Sequence, residues 1–138
     1  MSLVLDTGPI LALLDRDDPD HTRCVDMVRS TREDLVVPAA ILGEVDYWCR
    51  KLLGVEVWKE FIDDMATGGY LLAQLDAMEV QRAVEIEAQY DDLALGFVDA
   101  AVIATCERLG ETKVATLDRR HFSIVQPAHC VRLRLLPE

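Results

Sequence analysis

A chain of 138 residues with 51% hydrophobic and 28% charged side chains is long enough for one domain with a real core and too apolar to be disordered. Its 25 acidic against 14 basic side chains leave a net charge of −11, which argues against gripping a nucleic-acid backbone by electrostatics alone and favours a basic partner. No apolar run reaches the roughly 18 residues of a membrane span. Met1-Ser2-Leu3-Val4-Leu5-Asp6 lacks the basic start and long apolar run of a signal peptide, so a cytoplasmic protein without membrane association is expected.

In chain order, residues 2–6 read as a short buried strand, and Gly8-Pro9 starts a short helix with proline in its first turn. Asp18-Pro19 signals a second helix, with Asp18 as N-cap, running to about Arg32. Leu35-Val36-Val37 is a strand. Pro38 opens a helix that carries Glu44 about two turns in and ends near Gly54. A helix over 55–67 stops at Gly68-Gly69, and Tyr70 to Leu75 is a strand. Asp76-Ala77-Met78-Glu79 has capping-box spacing and heads a helix reaching about Tyr90. Residues 91–97 form a loop, Val98 to Leu109 a helix stopped by Gly110, and Lys113 to Leu117 a strand. Cys130 to Leu135 is the last strand. This alternation predicts a single α/β domain over 1–138, a three-layer sandwich whose central parallel-rich sheet is flanked by helices.

Cys24, Cys49, Cys106 and Cys130 form no C-x-x-C pair and read as reduced thiols. His21, His121 and His129 are scattered, without metal-ligand spacing.

Four acids carry the chemical signal. Asp6 closes Leu3-Val4-Leu5, Glu44 follows Ala39-Ala40-Ile41-Leu42-Gly43, Asp99 opens Ala100-Ala101-Val102-Ile103-Ala104, and Asp118 ends Val114-Ala115-Thr116-Leu117. A carboxylate buried without a partner costs several kcal/mol or is neutralised. No matching set of Lys, Arg or His lies beside these acids in the chain. A divalent cation is the missing partner: Mg²⁺ and Mn²⁺ take oxygen ligands, and such ions activate water and neutralise charge on a phosphodiester. Asp6 and Asp118 fall at carboxyl ends of strands, where sites form in open α/β sheets. Singly, each acid has a plainer explanation: Asp6 as a helix N-cap, Glu44 on a solvated face, Asp99 as an ordinary acid at a helix start, Asp118 as a turn opener. The joint pattern shifts the balance toward a site.

Thr7, Asp92 and Thr116 are candidate supporting groups, with turn, loop or strand roles as alternatives. Arg119 and Arg120 are candidate phosphate contacts, with Arg50-Lys51 as a second rim or simply a basic helix end. Tyr47, Trp48 and Trp58 divide between core packing and a protein interface.

Taken together, four blocks resemble the PIN-domain ribonucleases, and specifically the VapC-type toxins of type II toxin–antitoxin systems. They are Val4-Leu5-Asp6-Thr7-Gly8-Pro9-Ile10-Leu11-Ala12-Leu13-Leu14-Asp15; Val37-Pro38-Ala39-Ala40-Ile41-Leu42-Gly43-Glu44-Val45; Leu93-Ala94-Leu95-Gly96-Phe97-Val98-Asp99-Ala100-Ala101-Val102-Ile103-Ala104; and Val114-Ala115-Thr116-Leu117-Asp118-Arg119-Arg120-His121-Phe122. The resemblance implies a metal-dependent endoribonuclease in which Asp6, Glu44, Asp99 and Asp118 are the catalytic, metal-holding acids, Asp92 matches a position often acidic in these toxins, and Mg²⁺ or Mn²⁺ is the cofactor. It further implies cleavage of structured RNA, transfer or ribosomal, a homodimer, and a cognate antitoxin with a basic segment. The alternatives are a PIN-type RNA-processing nuclease without an antitoxin, a non-cleaving RNA binder, and a phosphoacceptor receiver-like domain. A receiver needs a lysine after its last strand, whereas Lys113 precedes its strand.

Overall fold

The computed structural model describes residues 1–138. Five strands, β1 (Ser2–Leu5), β2 (Asp34–Pro38), β3 (Leu71–Ala73), β4 (Lys113–Ala115) and β5 (Arg134–Leu136), form one sheet in the order β3-β2-β1-β4-β5. Every neighbouring pair is parallel, with Val4 opposite both Val36 and Val114. Parallel strands need crossovers, and the helices supply them. These are α1 (Thr7–Leu14), α2 (His21–Ser30), α3 (Leu42–Leu52), α4 (Val55–Ala66), α5 (Ala77–Gln89), α6 (Phe97–Leu109) and the short α7 (Arg119–Phe122).

The chain steps outward from β1 to β2 to β3, then crosses back to add β4 and β5 on the other side of β1. Right-handed crossovers therefore place α1–α4 on one face and α5–α6 on the other. The packing agrees: α1 lies on α2 and α3, α3 on α4, and α5 on α6. The sheet is the middle layer, so Val4, Leu5, Val37, Val114 and Ala115 are fully buried between the two helical layers. In α6, Ala100 to Cys106 are all buried, and the helix packs on α5, β1 and β2. Its alanines allow close approach on more than one side.

The expected parallel-rich, three-layer arrangement is present, and local boundaries differ for physical reasons. Asp18 does not cap α2. Its carboxylate accepts the Asp20 amide at 2.8 Å, an Asx turn, and the helix begins at His21. Pro38 ends β2 instead of opening a helix. A 3-10 turn over Ala39–Ile41 follows, so Glu44 sits in the first turn of α3, not two turns in. Asp76 accepts the Glu79 amide at 2.8 Å, but the reciprocal half of the capping box is missing because the Glu79 carboxylate pairs with Arg108 at 3.3 Å. The 91–97 loop holds a 3-10 turn at Asp91–Leu93 and the start of α6. The last strand lies at 134–136 instead of 130–135. No helix is long and apolar enough to cross a membrane. All four cysteines are free; Cys24, Cys49 and Cys106 are buried.

Candidate active site

The strand order reverses between β1 and β4, and in open parallel sheets a crevice forms beyond the carboxyl ends of the strands at that point. Asp6 leaves β1 there, and Thr116, Leu117 and Asp118 leave β4 beside it. The Asp6 amide donates to the Ala115 carbonyl at 2.8 Å, which extends the β1–β4 pairing by one step. From one helical layer comes Glu44, in the first turn of α3; from the other comes Asp99, in the first turn of α6. The positive ends of both helix dipoles favour carboxylates at those positions.

Asp6 is 6% exposed. It occupies the N-cap position of α1, yet its side chain makes no capping bond. Its Oδ2 instead accepts the Thr116 hydroxyl at 2.8 Å. Burial pushes the Asp6 carboxyl above its ordinary range, and Glu44 and Asp118 push it further, against the Thr7 amide and the Thr116 hydroxyl. Asp99 is raised to about 6, by burial first and then by the charges of Asp6 and Asp118. Glu44 also repels Asp99, so the four acids form one group of mutually interacting charges.

Two threonines hold this group. Thr7 donates to Glu44 Oε1 at 2.8 Å, which links the start of α1 to α3. Fully buried Thr116 donates to Asp6 and accepts the Asp118 amide at 3.0 Å. Asp118 caps α7 through Oδ1, which accepts the His121 amide at 3.1 Å, while Oδ2 lies 2.7 Å from His121 Nδ1. His121 is consequently raised above the ordinary imidazole range, chiefly by that bond to Asp118.

His121 stands beside the candidate site, a placement that its sequence position concealed. Asp99, Asp118 and His121 each bring a ligand atom to within 4.8 Å of the others. The available signal was the Asp-x-x-His spacing, which one helical turn makes into neighbours. The supporting candidates divide. Thr7 and Thr116 contact the acids directly. Asp92 is exposed on the turn before α6 and is not among the charges perturbing Asp6 or Asp99. Arg119 is engaged by the Pro137 carbonyl, a structural contact, whereas Arg120 is exposed and its guanidinium makes no hydrogen bond. Arg50 is paired with Asp46, an ordinary helix-surface ion pair.

No lysine or arginine pairs with any of the four acids; the His121 imidazole, beside Asp118, is the one basic side chain paired with them. That oxygen-rich donor set, repulsive when empty, fits a hard divalent cation. The largest cleft, about 620 Å³, is elsewhere, at the start of the strands among Ser2, Asp34, Leu71, Leu72 and Arg108. The acids line none of these clefts; Glu44 is exposed, Asp99 and Asp118 are half-buried, and Asp6 lies beneath them.

A parallel sheet that collects carboxylates from two strand ends and two helix starts matches the PIN domain, whose family pattern covers residues 3–126. Ribonuclease VapC26 of Mycobacterium tuberculosis is 32% identical over 135 residues, spanning 98% of this chain and all of that protein. The crystal structure of M. tuberculosis VapC20, a sarcin-ricin loop cleaving toxin, superposes with a TM-score of 0.79 at 18% identity, covering 86% of this chain and 91% of the other. VapBC2 of Rickettsia felis, bound to a promoter DNA fragment, gives 0.71 at 12% identity over 98% and 97%. The chain belongs to the PIN-domain family and falls among its VapC-type members.

Proposed function

We propose that the chain is a metal-dependent endoribonuclease, the toxin of a toxin–antitoxin pair, hydrolysing phosphodiester bonds in structured RNA such as transfer or ribosomal RNA. The carrying observation is the convergence of Asp6, Glu44, Asp99 and Asp118 with no lysine or arginine among them. The 32% identity to Ribonuclease VapC26 supports the nuclease reading.

Asp6, Glu44, Asp99 and Asp118 would hold Mg²⁺ or Mn²⁺. When bound, such an ion supplies Lewis-acid charge for the phosphodiester and lowers the pKa of water. The chain's own residues do the positioning. Thr116 fixes the Asp6 carboxylate and, through the Asp118 amide, the start of α7. Thr7 fixes Glu44. Exposed Arg120, two residues after Asp118, would be the guanidinium available to a phosphate.

A basic antitoxin segment suits a chain of net charge −11. Structural neighbours include a toxin–antitoxin complex from Klebsiella pneumoniae, with a TM-score of 0.66. Tyr47 and Trp48 are exposed and meet edge-to-face at 5.0 Å, a surface suited to a protein contact in a homodimer or with the antitoxin. Trp58, by contrast, packs toward Phe61 at 6.0 Å and belongs with the core. A receiver-like activity is disfavoured because Lys113 lies in β4, paired with Glu33 and Glu111.

The test is cleavage of total RNA by the purified chain, with 5′-end mapping, in Mg²⁺, Mn²⁺ or excess EDTA. Cleavage that requires metal and is lost in Asp99→Asn is expected. Full cleavage in EDTA would overturn the metal mechanism, and binding without cleavage would favour the RNA-binding alternative.

A further inference from the structure

We infer that His121 is a direct nitrogen ligand of the divalent cation, and that it turns an all-oxygen site into a mixed one that takes Mn²⁺ in preference to Mg²⁺. The inference rests on the reading of the acidic pocket as a cation site.

The argument is geometric. His121 follows Asp118 by three residues, and the single turn of α7 stacks the two side chains, leaving Nδ1 at 2.7 Å from Asp118 Oδ2. Asp99 enters from α6, on a different element, and completes a triad of ligand atoms within 4.8 Å. Ligands at about 2.1–2.2 Å from one ion lie roughly 3–4.4 Å apart, so the Asp118–His121 pair must open slightly from its hydrogen-bonded 2.7 Å while the triad stays within nearly its present span. A cation seated there replaces the hydrogen now shared by Asp118 and His121, and that proton leaves to solvent.

The surroundings favour ligation over an unrelated surface role. His121 is held at both ends: its amide caps onto Asp118 Oδ1 and its ring meets Oδ2. The next residue, Phe122, is fully buried and anchors the turn in the core. A restrained imidazole beside two carboxylates is preorganised for a metal. Imidazole raises affinity for transition ions more than for Mg²⁺, which is satisfied by carboxylate and water.

The test uses the full-length protein and Mn²⁺ as its own spectroscopic probe. Pulsed electron paramagnetic resonance of bound Mn²⁺ is expected to show nitrogen modulation that changes when histidine is labelled with the heavier nitrogen isotope and vanishes in His121→Gln. Calorimetry should show Mn²⁺ affinity falling on the order of tenfold in that variant, with Mg²⁺ affinity nearly unchanged. Wild-type protein that binds Mn²⁺ without histidine-derived modulation would overturn the inference and leave the acidic site standing, provided Asp99→Asn abolishes the binding. Failure of wild-type protein to bind either ion would overturn both readings.

Discussion

Thr116 donates its hydroxyl to Asp6 Oδ2 at 2.8 Å and, with the same oxygen, accepts the Asp118 amide at 3.0 Å. One buried side chain thus fixes an acid after β1 relative to an acid after β4. Thr116→Val keeps the shape and removes both contacts. Loss of a hydrogen bond to a buried carboxylate should destabilise the metal-free protein by about 2 kcal/mol in urea denaturation. RNA cleavage should fall on the order of tenfold or more, because Asp6 and Asp118 lose their common brace. Unchanged cleavage would separate Thr116 from the chemistry.

Asp99→Asn should trade activity for stability. The folded-state pKa of about 6 lies above the ordinary 3.8, so the folded protein binds that proton more tightly than the unfolded chain. Folding stability from this group is therefore highest below pH 3.8 and declines as pH rises through 6. At pH 7.5 in EDTA the variant should be more stable than wild type by about 1–2 kcal/mol, a figure reduced for solvent screening of a half-exposed group. The advantage should shrink toward zero on acidification. Thermal melts in which the variant is less stable than wild type at pH 7.5 would show that neither burial nor the neighbouring acids disfavours the Asp99 carboxylate in the folded metal-free protein.

Arg82 ties α5 to α6 through a two-pronged pair with Glu107, at 2.8 and 2.9 Å. Burial alone would push Glu107 up, but the guanidinium and the Ala128 amide outweigh it and hold the carboxyl below its ordinary range. Arg82→Met should destabilise by about 2 kcal/mol, less than a fully buried pair because Arg82 keeps some water contact. This contribution exists above the ordinary glutamate pKa of 4.5 and disappears as pH falls through the lowered folded value. Cleavage measured well below the melting temperature should be unaltered.

Gly8 tests how closely α1 approaches the site. A Cβ there would sit 3.3 Å from Leu117 Cβ, immediately before Asp118. Gly8→Ala gains up to about 1 kcal/mol of helix propensity and spends it on this contact, so stability should stay within about 1 kcal/mol of wild type. Cleavage should nonetheless drop, because displacement of Leu117 carries Asp118 with it. Wild-type turnover would show that Leu117 yields without moving its neighbour.

Much of this arrangement was legible because period and punctuation agree with tertiary demand. Strand cores such as Leu3-Val4-Leu5 and Val114-Ala115 are short apolar runs, and Gly110 ends α6 in a left-handed conformation as its position suggests. The four acids were legible because each interrupts apolar sequence. What escaped was decided locally by side-chain competition. Asp18 satisfied a turn amide instead of a helix amide, and Glu79 left its capping role for Arg108. His121 escaped because its ligand-like position depends on a single turn nucleated by Asp118, within a segment that carries no apolar periodicity. Arg119 read as a phosphate contact because a sequence does not reveal that the chain's last residues return beside it.

That return has a practical corollary for anyone building fusions. The Leu136 carbonyl accepts the Thr116 amide at 2.9 Å, and the Pro137 carbonyl receives Arg23 and Arg119. An insertion between Leu136 and Glu138 would disturb contacts that hold the segment bearing Asp118. Met1 protrudes into solvent at the far end of β1, so an affinity handle there would sit a full strand length from the carboxylates.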